Sequence, residues 1–317
     1  MMGIRVLATG SCLPTRVVTN DDMSRIVDTS DEWITKRTGI KERRRCTTES
    51  HLDLSRAAAE QALTRAGIDR SLVGACVVAT VAADFLTPSC GALLQKALGL
   101  PEETPCFDVN AACAGFLYAL RAAQGMLTPE RPYGVVVGCE RLTKITDYTD
   151  RSTCVLFGDG AGAVVVEASA DAPDLYADLG ARTDPEDLYI PGAWDERPSY
   201  IHMAGTPVFK FAVDIVPKSI TRVLGRAGLT MDQVDWVVLH QANERIIDHV
   251  VKKMEIPSEK VFKNIEQYGN MSAACIPVGL DDLYTSGKLR PGMRALCVGF
   301  GGGLTWGGGL ITIGGIQ

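Results

Sequence analysis

Three polar residues stand where chemistry is easiest to build. Cys113 follows the short apolar run Cys106–Val109 and opens a helical pattern. A thiol at a helix start meets unpaired N–H groups and the positive end of the helix dipole, which favour a low-pKa thiolate nucleophile. His240 closes the apolar run Trp236–Leu239 in the sequence VVLHQAN. Reacting groups in open α/β sheets gather beyond the carboxyl ends of strands, so this histidine is well placed to exchange or donate a proton. Asn270 lies in YGNMSAA, just ahead of a second helical pattern. Each has a plainer reading when taken alone. Cysteine is a common small core residue, a lone histidine is more often structural, and Asn beside Gly commonly makes a turn. The run GFGGG (299–303) adds backbone amides with no side chains in the way, suited to an oxyanion hole, a phosphate cradle or a close strand crossing. It is not followed by Lys-Ser or Lys-Thr, so a nucleotide P-loop is unsupported. With no HExxH and no paired ligand spacing, a catalytic metal has no support either.

The elements that must carry these residues repeat. Residues 63–78 (LTRAGIDRSLVGACVV) and 224–239 (LGRAGLTMDQVDWVVL) align at an offset of 161, matching Leu63 with Leu224, Arg65 with Arg226, Ala66 with Ala227 and Val77 with Val238. Each reads as the end of an amphipathic helix, a capping glycine and then a buried strand. Cys113 near the start of 112–127 and Ser272 at the start of 272–287 form a second echo, each followed by an apolar strand and a Gly-rich turn. Strands alternating with helices imply parallel sheets covered by helices. The expected fold is α/β, built of two pseudo-symmetric halves, 1–170 carrying Cys113 and 171–317 carrying His240 and Asn270. Two stretches, 17–55 and 181–207, break the pattern, and long irregular loops in compact folds usually serve function.

Composition narrows the classes. The chain has 317 residues with Lys plus Arg 32 and Asp plus Glu 38, a formal net charge of −6, which argues against a dedicated nucleic-acid binder. Its ten cysteines include no C-x-x-C pair, and several sit inside apolar runs, so a reduced, cytoplasmic protein is expected. The opening MMGIRVLATG does not read as a signal peptide, and no window approaches the roughly 20 apolar residues of a membrane span.

In order and spacing, TSDEWITKRTGIKERR (29–44), DVNAACAGF (108–116), DRSTCVLFGDGAGA (150–163), HQAN (240–243), YGNMSAACIP (268–277) and GFGGGLTWG (299–307) together resemble the beta-ketoacyl-ACP synthase III family of thiolase-fold condensing enzymes. The resemblance implies a five-layered α-β-α-β-α arrangement. It implies that an acyl-CoA, acetyl-CoA or another short primer, acylates Cys113. Malonyl-ACP then loses carbon dioxide, and its carbanion attacks the acyl-enzyme to give 3-oxoacyl-ACP. His240 and Asn270 match the pair that donates hydrogen bonds to the malonyl thioester oxygen, which requires a neutral histidine. The N–H groups of Cys113 and Gly302 match the oxyanion hole. Thr29, Trp33, Arg37, Arg151, Gly205 and Asn243 match CoA contacts, with Trp33 and Arg151 sandwiching the adenine. Lys210, Arg245, Lys252 and Lys253 match the basic patch for the acidic carrier protein. No metal or redox cofactor is implied, and the assembly implied is a homodimer. Thr87, in DFLTPSC, stands where several acetyl-specific members carry a bulky aromatic that closes the partner's acyl pocket, so a longer or branched primer is expected here. A relative of specialised metabolism with a different acceptor shares these motifs. A papain-like hydrolase shares the Cys-His-Asn types but not the duplicated halves. A non-catalytic acyl-binding regulator would not need Cys113.

Overall fold

The computed structural model describes residues 2–315. Ten strands build two five-stranded sheets. The first holds β1 (Gly3–Cys12), β2 (Val73–Ala79), β3 (Cys106–Val109), β4 (Tyr133–Arg141) and β5 (Asp159–Ser169), in the order β1-β5-β4-β2-β3. The second holds β6 (Asp178–Asp184), β7 (Trp236–Leu239), β8 (Val261–Phe262), β9 (Arg294–Gly301) and β10 (Gly303–Thr312), in the order β6-β10-β9-β7-β8. Matched strand for strand, the two orders are the same, as a duplicated thiolase-like fold requires.

The sheets are mixed rather than parallel, which corrects the expectation from alternating elements. Only the trios β4-β2-β3 and β9-β7-β8 run parallel, while β1, β5, β10 and β6 pair antiparallel to their neighbours. The reason is visible at Gly302, the one residue between β9 and β10. So short a connection cannot make the crossover that a parallel neighbour needs, and it returns as a hairpin.

Seven helices matter for the site: α1 (Asp31–Thr38), α2 (His51–Ala66), α3 (Cys90–Ala97), α4 (Gly115–Met126), α5 (Gly205–Ala227), α6 (Glu244–Lys253) and α7 (Cys275–Thr285). Strand alternation sorts them into layers. Ala75, Val77 and Ala79 of β2 point inward onto Phe116 and Leu120 of α4 and Ile276 and Leu280 of α7, together with Ala295 and Cys297 of β9. Their neighbours Cys76 and Val78 point outward onto Leu54 and Ala58 of α2 and Leu94 of α3. Leu296 and Val298 face the opposite way, onto Ile215 and Ile220 of α5 and Ile247 of α6. The result is five layers with α4 and α7 in the middle, and each fully buried Val or Leu contributes about 1.5–3 kcal/mol. A charge at Val77 would strand an unpaired ion among these side chains.

Local signals set the element ends. Ser50 starts α2 in a reciprocal capping box with Asp53, and the helix stops at Gly67 with φ +63°. Its counterpart α5 stops at Gly228 with φ +65°. The irregular stretch 17–55 folds over the first half as a strand pair, Val17–Thr19 with Glu42–Arg44, two helical segments and α2. The buried Arg43 ties it down by donating to the carbonyls of Val18 and Val155 and to Asn20 Oδ1. Residues 181–207 contain the end of β6 and a short ladder, Leu188–Tyr189 with His202–Met203.

Candidate active site

Two tight turns meet in the central layer. Ala112–Ala114 and Ser272–Ala274 each form one 3-10 turn leading into α4 and α7, and each begins with a residue of left-handed backbone, Ala112 at φ +47° and Ser272 at φ +47°. The counterpart of Ser272 in the duplication is therefore Ala112, not Cys113, and Cys113 corresponds to Ala273. A non-glycine residue at positive φ costs energy and persists only where its surroundings impose it, as at reactive turns. The turn holds Cys113 two residues ahead of α4 and against β9. A Cβ added at Gly301 would lie 2.7 Å from the Cys113 nitrogen, and one at Gly299 would lie 2.8 Å from its carbonyl oxygen. The glycine run is thus a clearance surface for the Cys113 backbone. Gly302 flanks the same turn: a Cβ there would sit 3.7 Å from that of Ala112.

The thiol departs from the expected low-pKa state. Burial pushes Cys113 up to about 12, opposed by the neighbouring Ser272 hydroxyl and reinforced by the charge of Glu140. Placement at a helix start does not by itself make a thiolate. Here desolvation outweighs it, and the resting thiol holds its proton.

His240 leaves the end of β7 with its N–H bonded to the Val298 carbonyl, and its ring meets Phe300 edge-on at 5.4 Å. Burial drives its pKa down to about 3, so the imidazole is neutral at physiological pH. Its Nδ1 is closed off without a partner. The following Gln241 and Asn243 fix the backbone: Gln241 bonds the Leu239 carbonyl and the Asn264 N–H, and Asn243 caps α6.

Asn270 is held from both sides by the segment after 154. Its N–H bonds the Leu156 carbonyl, its carbonyl accepts from Gly158, and its Oδ1 accepts from the Ser272 N–H at 2.8 Å. That orientation leaves Nδ2 as its free donor. The motif 150–163 therefore matters here as the clamp on Asn270. Cys275 Sγ accepts the Met271 N–H inside the same turn.

The expected nucleotide contacts gather around α1. Trp33 lies between two guanidinium groups, Arg37 at 4.3 Å and Arg151 at 5.0 Å from its ring. Thr29 precedes α1 with its hydroxyl buried and unpartnered. Asn243 Nδ2 also donates to the Arg37 carbonyl and joins α1 to α6. Gly205 opens α5 at the surface. Lys210 on α5 and Arg245, Lys252 and Lys253 on α6 are all exposed. Thr87 is also exposed, beside Phe85 at 56% and Leu86 at 75% exposure. Reading the sequence missed Glu140 and the neighbourhood of Ser272. The available signal was a carboxylate ending the otherwise apolar run YGVVVGCE.

Half-buried Cys113, His240 at the end of β7 and Asn270 at the head of the second turn are carried by a duplicated α/β fold of the thiolase class. Two family models match the chain, 3-oxoacyl-[acyl-carrier-protein] synthase III over residues 107–184 and its C-terminal part over 224–313. The beta-ketoacyl-[acyl-carrier-protein] synthase III of Clostridium acetobutylicum is 43% identical, with 97% of this chain and 98% of that protein covered. The solved 3-oxoacyl-[acyl-carrier-protein] synthase III of Aquifex aeolicus superposes with a TM-score of 0.92 at 42% identity, covering 98% and 100% of the two chains. The priming beta-ketosynthase of the R1128 polyketide pathway superposes at 0.93 with 35% identity, covering 100% and 98%. The chain belongs to the beta-ketoacyl-[acyl-carrier-protein] synthase III family and is an acyltransferase of the initiating condensation in fatty acid synthesis.

Proposed function

We propose that Cys113 takes an acyl group from acyl-CoA and that His240 and Asn270 then drive decarboxylation of malonyl-ACP, whose carbanion attacks the acyl-cysteine. The observation that carries this reading is the state of His240. A neutral histidine and an asparagine with a free Nδ2 supply two donors. That suits an enolate oxygen developing on a thioester. In the first stage the Cys113 sulfur attacks the acyl carbonyl, the oxyanion lies against the N–H groups of Cys113 and Gly302, and CoA leaves. In the second, loss of carbon dioxide leaves the carbanion as an enolate between His240 and Asn270, and C–C bond formation expels the Cys113 thiolate. The thioester itself delocalises the carbanion, so the chemistry needs no metal or redox group.

Thr29, Trp33, Arg37, Arg151, Gly205 and Asn243 form the CoA path in this reading. Trp33 and Arg151 suit an adenine stack once the Arg151 guanidinium, which rests 5.0 Å from the indole ring, draws back to admit the base, because indole and guanidinium both offer flat, polarisable faces. Lys210, Arg245, Lys252 and Lys253 receive the acidic carrier protein. Thr87, on an exposed loop with Phe85 and Leu86, reaches a second copy of the chain and leaves room for a primer longer than acetyl. The two halves divide near residue 170, one carrying the nucleophile and the other the decarboxylating pair. Among the described residues no helix is long and apolar enough to cross a membrane, and both substrates are water-borne.

The test is release of labelled carbon dioxide from malonyl-ACP in step with 3-oxoacyl-ACP formation. The reading predicts one carbon dioxide per product. Acyl transfer to a different acceptor without carbon dioxide release would overturn it.

A further inference from the structure

Asn270 owes its aim to the segment after residue 154, and that segment begins outside helix and sheet. Val155 and Leu156 form a turn between the helical piece Arg151–Cys154 and β5. At Phe157 the chain meets Asn270 in an isolated parallel bridge. Its two bonds run from the Asn270 N–H to the Leu156 carbonyl and from the Gly158 N–H to the Asn270 carbonyl, each at 2.9 Å. The side chain follows from the backbone, because the Ser272 N–H holds Oδ1 at 2.8 Å. Whatever fixes residues 155–158 therefore decides where Asn270 Nδ2 points.

Arg43 supplies that grip. Its Nη2 donates to the Val155 carbonyl at 2.6 Å, while Nη1 donates to Asn20 Oδ1 at 2.9 Å and to the Val18 carbonyl at 3.2 Å. Asn20 is anchored in turn, its Nδ2 donating to the Ile40 carbonyl at 2.7 Å and to Asp31 Oδ1 at 2.8 Å. The stem of Arg43 touches both sides of the bridge. A Cβ built on Gly158 would lie 3.3 Å from Arg43 Cβ and 2.4 Å from the Tyr268 carbonyl oxygen. One built on Gly269 would lie 3.3 Å from Arg43 Cβ and 2.8 Å from the Leu156 carbonyl oxygen. Residues 155–158, 268–270 and Arg43 thus pack as one unit, with no room for a methyl group at either glycine.

An arginine is a costly choice for this place. It is 2% exposed, and a buried cation gives up hydration that a carboxylate partner usually offsets. All three of its acceptors are neutral oxygens. Burial lowers Arg43 to about 10, so it still carries its charge at physiological pH. An apolar side chain would fill the same space without gripping the turn. A lysine would offer a single nitrogen, whereas the planar guanidinium is a rigid fork that spans two separate segments. Its charge also makes each bond to a carbonyl stronger than a neutral donor would.

We propose that Arg43 is a positioning residue for decarboxylation, holding the Val155 carbonyl so that Asn270 Nδ2 stays aimed at the developing enolate. The inference rests on the decarboxylating role given to Asn270 above. Arg43 touches no substrate in this assignment and acts through residues 155–158. The Cys113 turn is set separately, against Gly299 and Gly301 of β9. Acylation and decarboxylation should therefore respond differently to loss of the guanidinium.

The test is a double-mutant cycle of Arg43→Met and Asn270→Ala with two readouts on each protein. One is Cys113 acylation by acetyl-CoA, followed by intact mass. The other is carbon dioxide release from saturating malonyl-ACP by the pre-acylated enzyme in a single turnover. Arg43→Met should acylate at close to the wild-type rate, which also shows that it folds. Its carbon dioxide release should fall about 100-fold, the scale of a misplaced reacting group. In the Asn270→Ala background the same change should cost little more, because effects routed through one group do not add. Arg43→Lys keeps one donor and should lie between. Should Arg43→Met not fold, Asn20→Ala carries the same cycle, since it removes one acceptor that orients the guanidinium. Unchanged carbon dioxide release, a parallel fall in both readouts, or a full loss that persists beside Asn270→Ala overturns the inference. Asn270→Ala with wild-type carbon dioxide release, or wild type that acylates and releases none, overturns the decarboxylation reading itself.

Discussion

At the scale of single residues, the site works by withholding charge. Cys113 keeps its proton and His240 refuses one, both because burial disfavours the ionised form. Position in the sequence marked both residues but could not supply their protonation states. The helix-start argument favoured a thiolate at Cys113, whereas the enclosing turns and the charge of Glu140 favour the thiol. For His240 the requirement for a neutral ring came from the chemistry, and burial meets it. The sign is explicit: a histidine depressed to about 3 gains a proton only as pH falls toward that value. Carbon dioxide release by pre-acylated enzyme should therefore stay flat, as far as His240 is concerned, between about pH 5 and about pH 8. His240→Ala should lower that step about 100- to 1000-fold while Cys113 still becomes acylated. A loss of activity on acidification centred near pH 6 would contradict the neutral-donor role.

At the scale of elements, periodicity carried most of the information and connection length carried the rest. The strand patterns at 106–109 and 236–239 and the capping glycines 67 and 228 are where the sequence places them, because each is a local signal. The antiparallel pairing of β10 with β9 is not local in that sense, and a one-residue link decided it. The register of the two turns was likewise illegible. Cys113 and Ser272 look alike as helix openers, and only the shared left-handed angle shows that Ser272 matches Ala112. Helices α5 and α6 pose a separate question, since they present Lys210, Arg245, Lys252 and Lys253 on a chain whose formal net charge is −6. A local basic surface steers an acidic partner despite the opposite overall sign. Exchanging Arg245 and Lys252 together for Glu should cut kcat/KM for malonyl-ACP about 10-fold or more at low salt, with the deficit shrinking as salt rises. Initial rates across a salt series check this, and a deficit insensitive to salt would argue against steering.

At the scale of the whole molecule, duplication explains why the site lies where it does. Two equivalent sheets enclose two equivalent helices, and the turns feeding those helices meet at the centre. One turn presents Cys113, while the other presents Asn270 and Ser272, and the end of β7 adds His240. Cys113, Asn270 and His240 are thereby drawn from both halves, and loss of water contact shifts the protonation of Cys113 and His240. The measurement that tests this most directly is the intact mass of the protein after exposure to a panel of acyl-CoAs, followed by peptide mapping. The account predicts one acyl increment, located on Cys113, absent from Cys113→Ala and discharged by malonyl-ACP. An increment on another cysteine, or one that survives Cys113→Ala, would contradict it.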